Sequence, residues 1–203
     1  MLVISNNCCG GRLYQQTNTR FNNPFIWMVA PYDSIYHTMM HFDAVDWYSI
    51  ELQKSTLRPN TFIINVDNHI DLHYVHYKLD PSAKSIVQEQ KFDAEEHWTG
   101  DVFYCEIWEF IYQKYKERTE RMLKTNEDPK FLIRDEDFAN TNTKRTIKDI
   151  AYCESPYKRI IITRDKSILR NDDICKTIHV NHIEMPEPTV RHNLSSIRGF
   201  FNI

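Results

Sequence analysis

Short apolar runs and longer segments of helical periodicity alternate along the chain. The runs are apolar throughout rather than strictly alternating, which is typical of strands buried inside a layered fold. We expect their central residues to be buried, and these are Val3, Ile63, Leu72, Leu132 and Ile161. The pattern predicts strands at residues 2–4, 47–52, 61–66, 70–77, 130–134, 159–163 and 177–180.

Helical periodicity marks the segments between these runs. The strongest helix is predicted over residues 102–124, and another begins after Asp33, which is a candidate N-cap. Shorter helices are predicted through Leu13 and Tyr14, after residue 80 and over 144–152. The tail, with Pro186 and Pro188, is expected to cross the surface. Alternating strands and helices predict a single α/β layered domain over residues 1–203, with helices around a central mixed or mostly parallel sheet.

Composition narrows the classes of function. The net charge of −3 leaves no basic excess for neutralising phosphates, so we expect no nucleic-acid partner. No apolar run is long enough to span a bilayer, and no secretion signal is recognisable. The five cysteines lack C-x-x-C spacing, which argues against a disulfide framework or a zinc site. We therefore expect a cytoplasmic protein with neither metal nor cofactor.

The first candidate for chemistry is Cys8, which follows the opening strand and precedes Gly10 and Gly11. This order predicts a strand, a turn and a helix start with a thiol at the turn. A helix N-terminus favours an anion, so a thiolate there has a lowered pKa. The alternative is that Cys8 and Cys9 are small buried packing residues.

Further candidates lie on other elements. Asp135 follows the predicted strand 130–134, at the carboxyl end where open α/β sheets carry their ligands. His73 and His76 lie on opposite faces of one strand, so only one of them can face a given site. Arg118 and Arg121 share a helix face that is suited either to clamping an anion or to solvated ion pairs.

Several of these segments together resemble a known family. The segment Ile4-Ser5-Asn6-Asn7-Cys8, the segment His73-Tyr-Val-His76-Tyr-Lys and the run 131–133 resemble an uncharacterised bacterial family of exopolysaccharide biosynthesis proteins. The residues from Phe92 to Phe110 depart from that family's pattern. A weaker similarity links the opening, residues 24–27 and the helix 115–121 to papain-like cysteine peptidases. The first resemblance implies a surface-polysaccharide context and the second implies thiol catalysis.

The leading hypothesis is a transferase-like enzyme that acts on a sugar or acyl donor in polysaccharide assembly, with glycosyltransferases of the same pathway as candidate partners. A thiol nucleophile requires a base and a group that orients the base. The predicted roles are Cys8 as nucleophile, His76 as base and Asp135 as orienting group, with substrate contacts from Asn6, Asn7, His73, Arg118 and Arg121. Two alternatives are a papain-like cysteine hydrolase and a non-catalytic glycan- or partner-binding module that stacks sugars on Trp27, Trp47 and tyrosines.

Overall fold

The computed structural model describes residues 1–26, 28–54, 62–73, 101–135, 143–182 and 186–203. Its elements in chain order are β1 (Val3–Ser5), α1 (Cys9–Gln16), α2 (Tyr32–His41), a 3-10 turn (Phe42–Ala44), β2 (Ile50–Lys54), β3 (Phe62–Val66), β4 (Ile70–His73), α3 (Asp101–Leu123), β5 (Lys130–Arg134), α4 (Ile147–Tyr152), β6 (Arg159–Thr163), β7 (Cys175–His179) and α5 (Pro186–Phe201). The predicted α/β class is confirmed.

The strands form two sheets rather than one. Sheet A has four strands in the order β1-β5-β6-β7, and all of its neighbours are parallel. Sheet B has three antiparallel strands in the order β2-β3-β4. In the turn between β3 and β4, Asp67 and Asn68 have φ values of 53° and 59°. Left-handed conformations at both positions belong to the hairpin turn that this Asp-Asn sequence predicted.

Sheet A is covered on both faces, and its side chains alternate between two hydrophobic cores. On one face, Val3 and Leu132 pack in a core that includes Leu13 of α1 and Val190, Ile197 and Phe201 of α5. On the other face, Ile4, Phe131, Ile133 and Ile161 pack in a larger core with residues of α2, α4 and sheet B. All five predicted strand centres are buried.

Helix α3 joins the larger core through its C-terminal half. Ile111, Tyr115 and Met122 are buried, in agreement with the predicted apolar stripe. The Tyr115 hydroxyl donates a hydrogen bond to the carbonyl of Trp47, at 2.9 Å. No helix among the described residues combines the length and apolarity needed to cross a membrane.

A buried arginine holds α4 against β6. Arg159 is fully buried, and its guanidinium donates to the carbonyls of Ala151, Cys153, Ser155 and Tyr157. Two of those carbonyls lie at the C-terminal end of α4, where helical carbonyls have no intrahelical partner. The hydrogen bonds compensate for the burial of the charge.

Three local predictions differ from the structure. Asp33 is not an N-cap, because α2 begins after Pro31 and the Asp33 carboxylate accepts from the backbone N–H groups of Lys144 and Arg145. The tail is a helix, α5, and does not simply cross the surface. The predicted strand over 47–52 begins at Ile50 instead. The predicted helix after residue 80 and the end of the predicted strand 70–77 lie outside the described residues.

We expect Leu132→Ala to destabilise the protein by roughly 2–5 kcal/mol, because the substitution opens a cavity in the core between sheet A and helices α1 and α5. Urea melts followed by circular dichroism measure the loss. Leu169→Ala is the matched control, since that side chain is 71% exposed. A loss below about 1 kcal/mol for Leu132→Ala would place the residue outside the core.

Three imidazoles between α2 and the β3–β4 turn predict a pH dependence of stability. The His37 ring stacks on His69 with centroids 4.4 Å apart and lies 4.7 Å from the ring of His41. Burial, followed by the charges of His69 and His41, lowers the pKa of His37, while Asp67 opposes the shift. The folded protein therefore binds fewer protons at His37 than the unfolded chain does. Stability should fall as pH drops below 6.5, the ordinary pKa of histidine.

Urea midpoints at pH 8 and pH 5.5 test this dependence. His37→Asn should reduce the difference between the two midpoints, whereas His179→Asn should not, because His179 is exposed on β7. An unchanged difference in His37→Asn would contradict the assignment.

Candidate functional site

The chain turns sharply between β1 and α1. The Asn7 side-chain oxygen accepts from the backbone N–H of Cys9 at 2.8 Å, and the Cys8 carbonyl accepts from the N–H of Arg12 at 3.0 Å. The first bond satisfies one of the free donors at the helix start, and the second begins the helix. A Cβ atom on Gly10 would lie 2.9 Å from the Cβ of Ser5, so α1 packs this closely only with glycine there. The predicted strand, turn and helix start is confirmed.

Asn6 is held by two hydrogen bonds to the backbone of Arg134, and its role in substrate binding, like that of Asn7, stays a prediction. The Asn6 side-chain nitrogen donates to the carbonyl of Arg134 at 2.8 Å, and its side-chain oxygen accepts from the Arg134 N–H at 3.0 Å. The Asn7 oxygen is likewise used by the helix start and lies 3.4 Å from the Ser5 hydroxyl. These contacts hold the turn against the carboxyl end of β5.

Arg134 and Asp135 leave β5 on opposite faces. Leu132 belongs to the core beside α1 and α5, whereas Ile133 belongs to the core beside α2. Because side chains alternate along a strand, Arg134 lies on the α1 face and Asp135 on the α2 face. The edge of the sheet therefore carries two polar side chains, those of Arg134 and Asp135.

On the α1 face, Arg134 lies near two thiols. Its side chain is buried, with 8% of the residue exposed. Burial lowers the pKa of Arg134, while Cys9, Cys8 and Tyr32 favour its charged form. An arginine keeps its charge under such conditions because its ordinary pKa exceeds 12. The edge of the sheet thus carries a buried positive charge.

The Cys8 thiol does not have the lowered pKa that its position predicted. Burial raises the pKa of Cys8 to about 11, and the charges of Arg134 and Arg12 only partly oppose that shift. Burial raises the pKa of the neighbouring Cys9 to about 12. Removal from water disfavours a thiolate more than the two arginines stabilise it. Both thiols are therefore protonated at neutral pH.

On the α2 face, Asp135 has hydroxyl partners. Its carboxylate accepts from the Thr163 hydroxyl at 2.8 Å and from the Tyr32 hydroxyl at 3.3 Å. These bonds fix the carboxylate at the carboxyl ends of β5 and β6. His76, which Asp135 was predicted to orient, lies outside the described residues, so the proposed triad of Cys8, His76 and Asp135 stays a prediction.

His73 is buried in β4, and its backbone pairs with Val29 through hydrogen bonds of 2.8 and 2.9 Å. Within the described part of the chain, the Cys8 sulfur has no hydrogen bond to a histidine. The role of His73 in substrate binding stays a prediction.

Arg118 and Arg121 have partners along helix α3 and its neighbours. The Arg118 guanidinium donates to the carbonyl of Ile26 at 2.8 Å and lies 5.9 Å from the ring centre of Phe21. Arg121 pairs with Glu117 on the same helix, with the two charged groups 4.0 Å apart. These contacts are structural, and the role of Arg118 and Arg121 in substrate binding stays a prediction.

Four residues at this edge were not singled out from the sequence, namely Arg12, Tyr32, Arg134 and Thr163. Arg134 and Thr163 are the last residues of apolar runs. Their positions at the carboxyl ends of predicted strands were the only features of the sequence that indicated a place at the site. Tyr32 and Arg12 gave no local signal, because the fold brings them to the edge from helices. Among the described residues, no group of three His, Cys, Asp or Glu side chains is arranged to hold a metal ion.

The raised pKa predicts slow alkylation of Cys8 at neutral pH. We expect the rate of iodoacetamide labelling, followed by mass spectrometry of the Cys8 peptide, to increase with pH toward a midpoint near 11. Arg12→Gln should move that midpoint upward, since it removes a positive charge that stabilises the thiolate. Arg20→Gln, at an exposed residue beyond the far end of α1, should not. A wild-type midpoint below 8 would instead identify an activated thiol.

Comparison with models of known protein families gives a match to the first part of the chain. Residues 1–95 match the family described as a domain of unknown function (DUF1919). No curated protein matches the chain significantly. The match includes the turn with Asn6, Cys8 and Arg12, but Arg134 and Asp135 lie beyond it. The matched part of the chain thus carries the thiol, and the family of that model brings no known reaction with it.

Proposed function

We propose that the protein is a transferase-like enzyme of surface polysaccharide assembly, which binds an anionic sugar donor at the Cys8–Arg134 edge of sheet A. The observation that supports this most is the buried charge of Arg134 beside thiols that are protonated at neutral pH. Sugar donors of the nucleotide class carry phosphates, which are suited to such a charge. Glycosyltransferases of the same pathway are the proposed partners.

The electrostatics favour an anion over a neutral ligand. The positive charge of Arg134 lies beside two thiols that are neutral at pH 7, and Arg12 adds a second positive charge near Cys8. A positive charge in a partly desolvated place attracts an anion more strongly than it does in water. A phosphate also matches the planar donor groups of a guanidinium.

The topology favours the same place. The carboxyl ends of β1, β5, β6 and β7 meet at one edge because the four strands are parallel. Ligands of open α/β sheets bind outside such edges. Helix α1 also starts there, so its dipole adds a positive potential near Cys8.

The contribution of Cys8 follows from its protonation state. A thiol with a pKa near 11 is a hydrogen-bond donor rather than a nucleophile at neutral pH. Covalent catalysis by Cys8 would need a base that removes the thiol proton in the complex, and His76 is the residue proposed for that role. This requirement gives less support to a papain-like hydrolase than to an enzyme that binds its donor at Arg134.

The non-catalytic glycan-binding alternative has little support at Trp47. This residue is only 3% exposed and packs edge-to-face on Phe25, with centroids 6.2 Å apart. Its indole N–H donates to the carbonyl of Phe42. A buried indole with these partners offers no platform for stacking a sugar. Trp27, the other proposed platform, lies outside the described residues.

Calorimetric titration with UDP-glucose, UDP-N-acetylglucosamine, GDP-mannose and dTDP-rhamnose tests the proposal. At least one should bind, and Arg134→Gln should weaken its binding tenfold or more, because the buried charge no longer meets the phosphates. Arg12→Gln, at a half-buried helix residue, should weaken binding several-fold while preserving the fold.

The control is Arg20→Gln, which removes an exposed arginine and should leave affinity unchanged. Circular dichroism verifies that each variant is folded. Absence of binding to all four donors, or wild-type affinity in both the Arg12 and Arg134 variants, would overturn the proposal.

A further inference from the structure

A concave site lies at the same edge of sheet A, between the residues that follow β7 and helix α5. It has a volume of about 340 Å³ and is lined by Val180, Asn181, His182, Thr189, His192 and Asn193. This volume falls within the range of small-ligand sites. The predicted site residues do not include any of these six.

This cleft and Arg134 lie on the same face of the sheet. Ile178 and Val180 pack against the core beside α1 and α5, which is also the face of Arg134. β5 and β7 are separated only by β6, so their ends are two strand spacings apart, roughly 10 Å. An extended ligand with its phosphates at Arg134 therefore has the cleft within reach.

The chemistry of the cleft differs from that of the Arg134 site. Asparagine, histidine and threonine side chains both donate and accept hydrogen bonds, as sugar hydroxyls do. No Lys, Arg, Asp or Glu is among the described residues that line it. The Asn193 amide donates to the carbonyl of Thr189 at 2.8 Å, which fixes that side chain about two helical turns into α5. Such walls suit a neutral ligand rich in hydroxyl groups.

We infer that this cleft holds the glycosyl part of the donor whose phosphates lie at Arg134. The inference rests on the proposed function and adds a location for the sugar. It assigns the selection among sugars to Asn193 and His182, and the affinity for the nucleotide to Arg134 and Arg12.

The test compares each donor that binds with its free nucleoside diphosphate. The double variant Asn193→Ala/His182→Ala should bind the nucleotide sugar about tenfold more weakly, since it loses hydrogen bonds to hydroxyl groups. Its affinity for the free nucleotide should stay within twofold of the wild type. Arg134→Gln should instead weaken both ligands. His179→Ala is the matched control, because His179 is exposed on β7 and its side chain lies on the opposite face from Ile178.

The outcomes separate the two proposals. Equal affinities of the double variant and wild type for the nucleotide sugar would overturn the sugar site and leave the Arg134 site intact. An equal loss for nucleotide and nucleotide sugar would also overturn it, since the cleft would then not distinguish the sugar. Failure of every donor to bind the wild-type protein would overturn the proposed function and this inference together.

Discussion

The arrangement of the whole molecule depends on the side chain of Asn6. Strand β1 has only three residues, and the last residue pair in its ladder with β5 is Ser5 with Leu132. The side-chain amide of Asn6 then forms hydrogen bonds with both the carbonyl and the N–H of Arg134. A side chain thus extends the contact between the two strands beyond the backbone ladder. The Asn6 carbonyl accepts from the N–H of Ala30, next to Val29, which pairs with β4. One buried residue thus joins sheet A to the segment that connects it with sheet B. Loss of such buried partners costs about 1–3 kcal/mol for each unsatisfied group.

This junction also determines which groups meet at the edge of the sheet. Because Asn6 fixes the backbone of Arg134, the guanidinium lies on the α1 face beside the thiols, and Asp135 lies on the α2 face beside Thr163. A positive group and a hydrogen-bonded acidic group therefore both occur at one edge of the sheet.

Much of the fold was predictable from local pattern, and the exceptions have physical causes. The apolar runs identified β1, β3, β5 and β6 because those strands are buried on both faces. Helix α5 was missed because Pro186 and Pro188 suggested irregular chain, although proline is tolerated in the first turn of a helix. The buried Val190, Ile197 and Phe201 were the helical signal in that tail. At the site, the positions of Cys8 and Asp135 shortly after predicted strands correctly placed both residues at the carboxyl edge of sheet A. The pKa of Cys8 was not predictable, because it depends on burial by distant elements.

The charges at the edge constrain the role of the thiol. Arg134 and Arg12 are the groups that lower the pKa of Cys8, and burial already outweighs them. An anion bound to either arginine would screen that charge, so it would raise the pKa of Cys8 further. Binding of an anionic donor and activation of Cys8 as a thiolate therefore oppose each other. This opposition favours a protonated Cys8 that donates a hydrogen bond to the bound ligand. A nucleophilic Cys8 would require a base strong enough to overcome burial and the bound anion together.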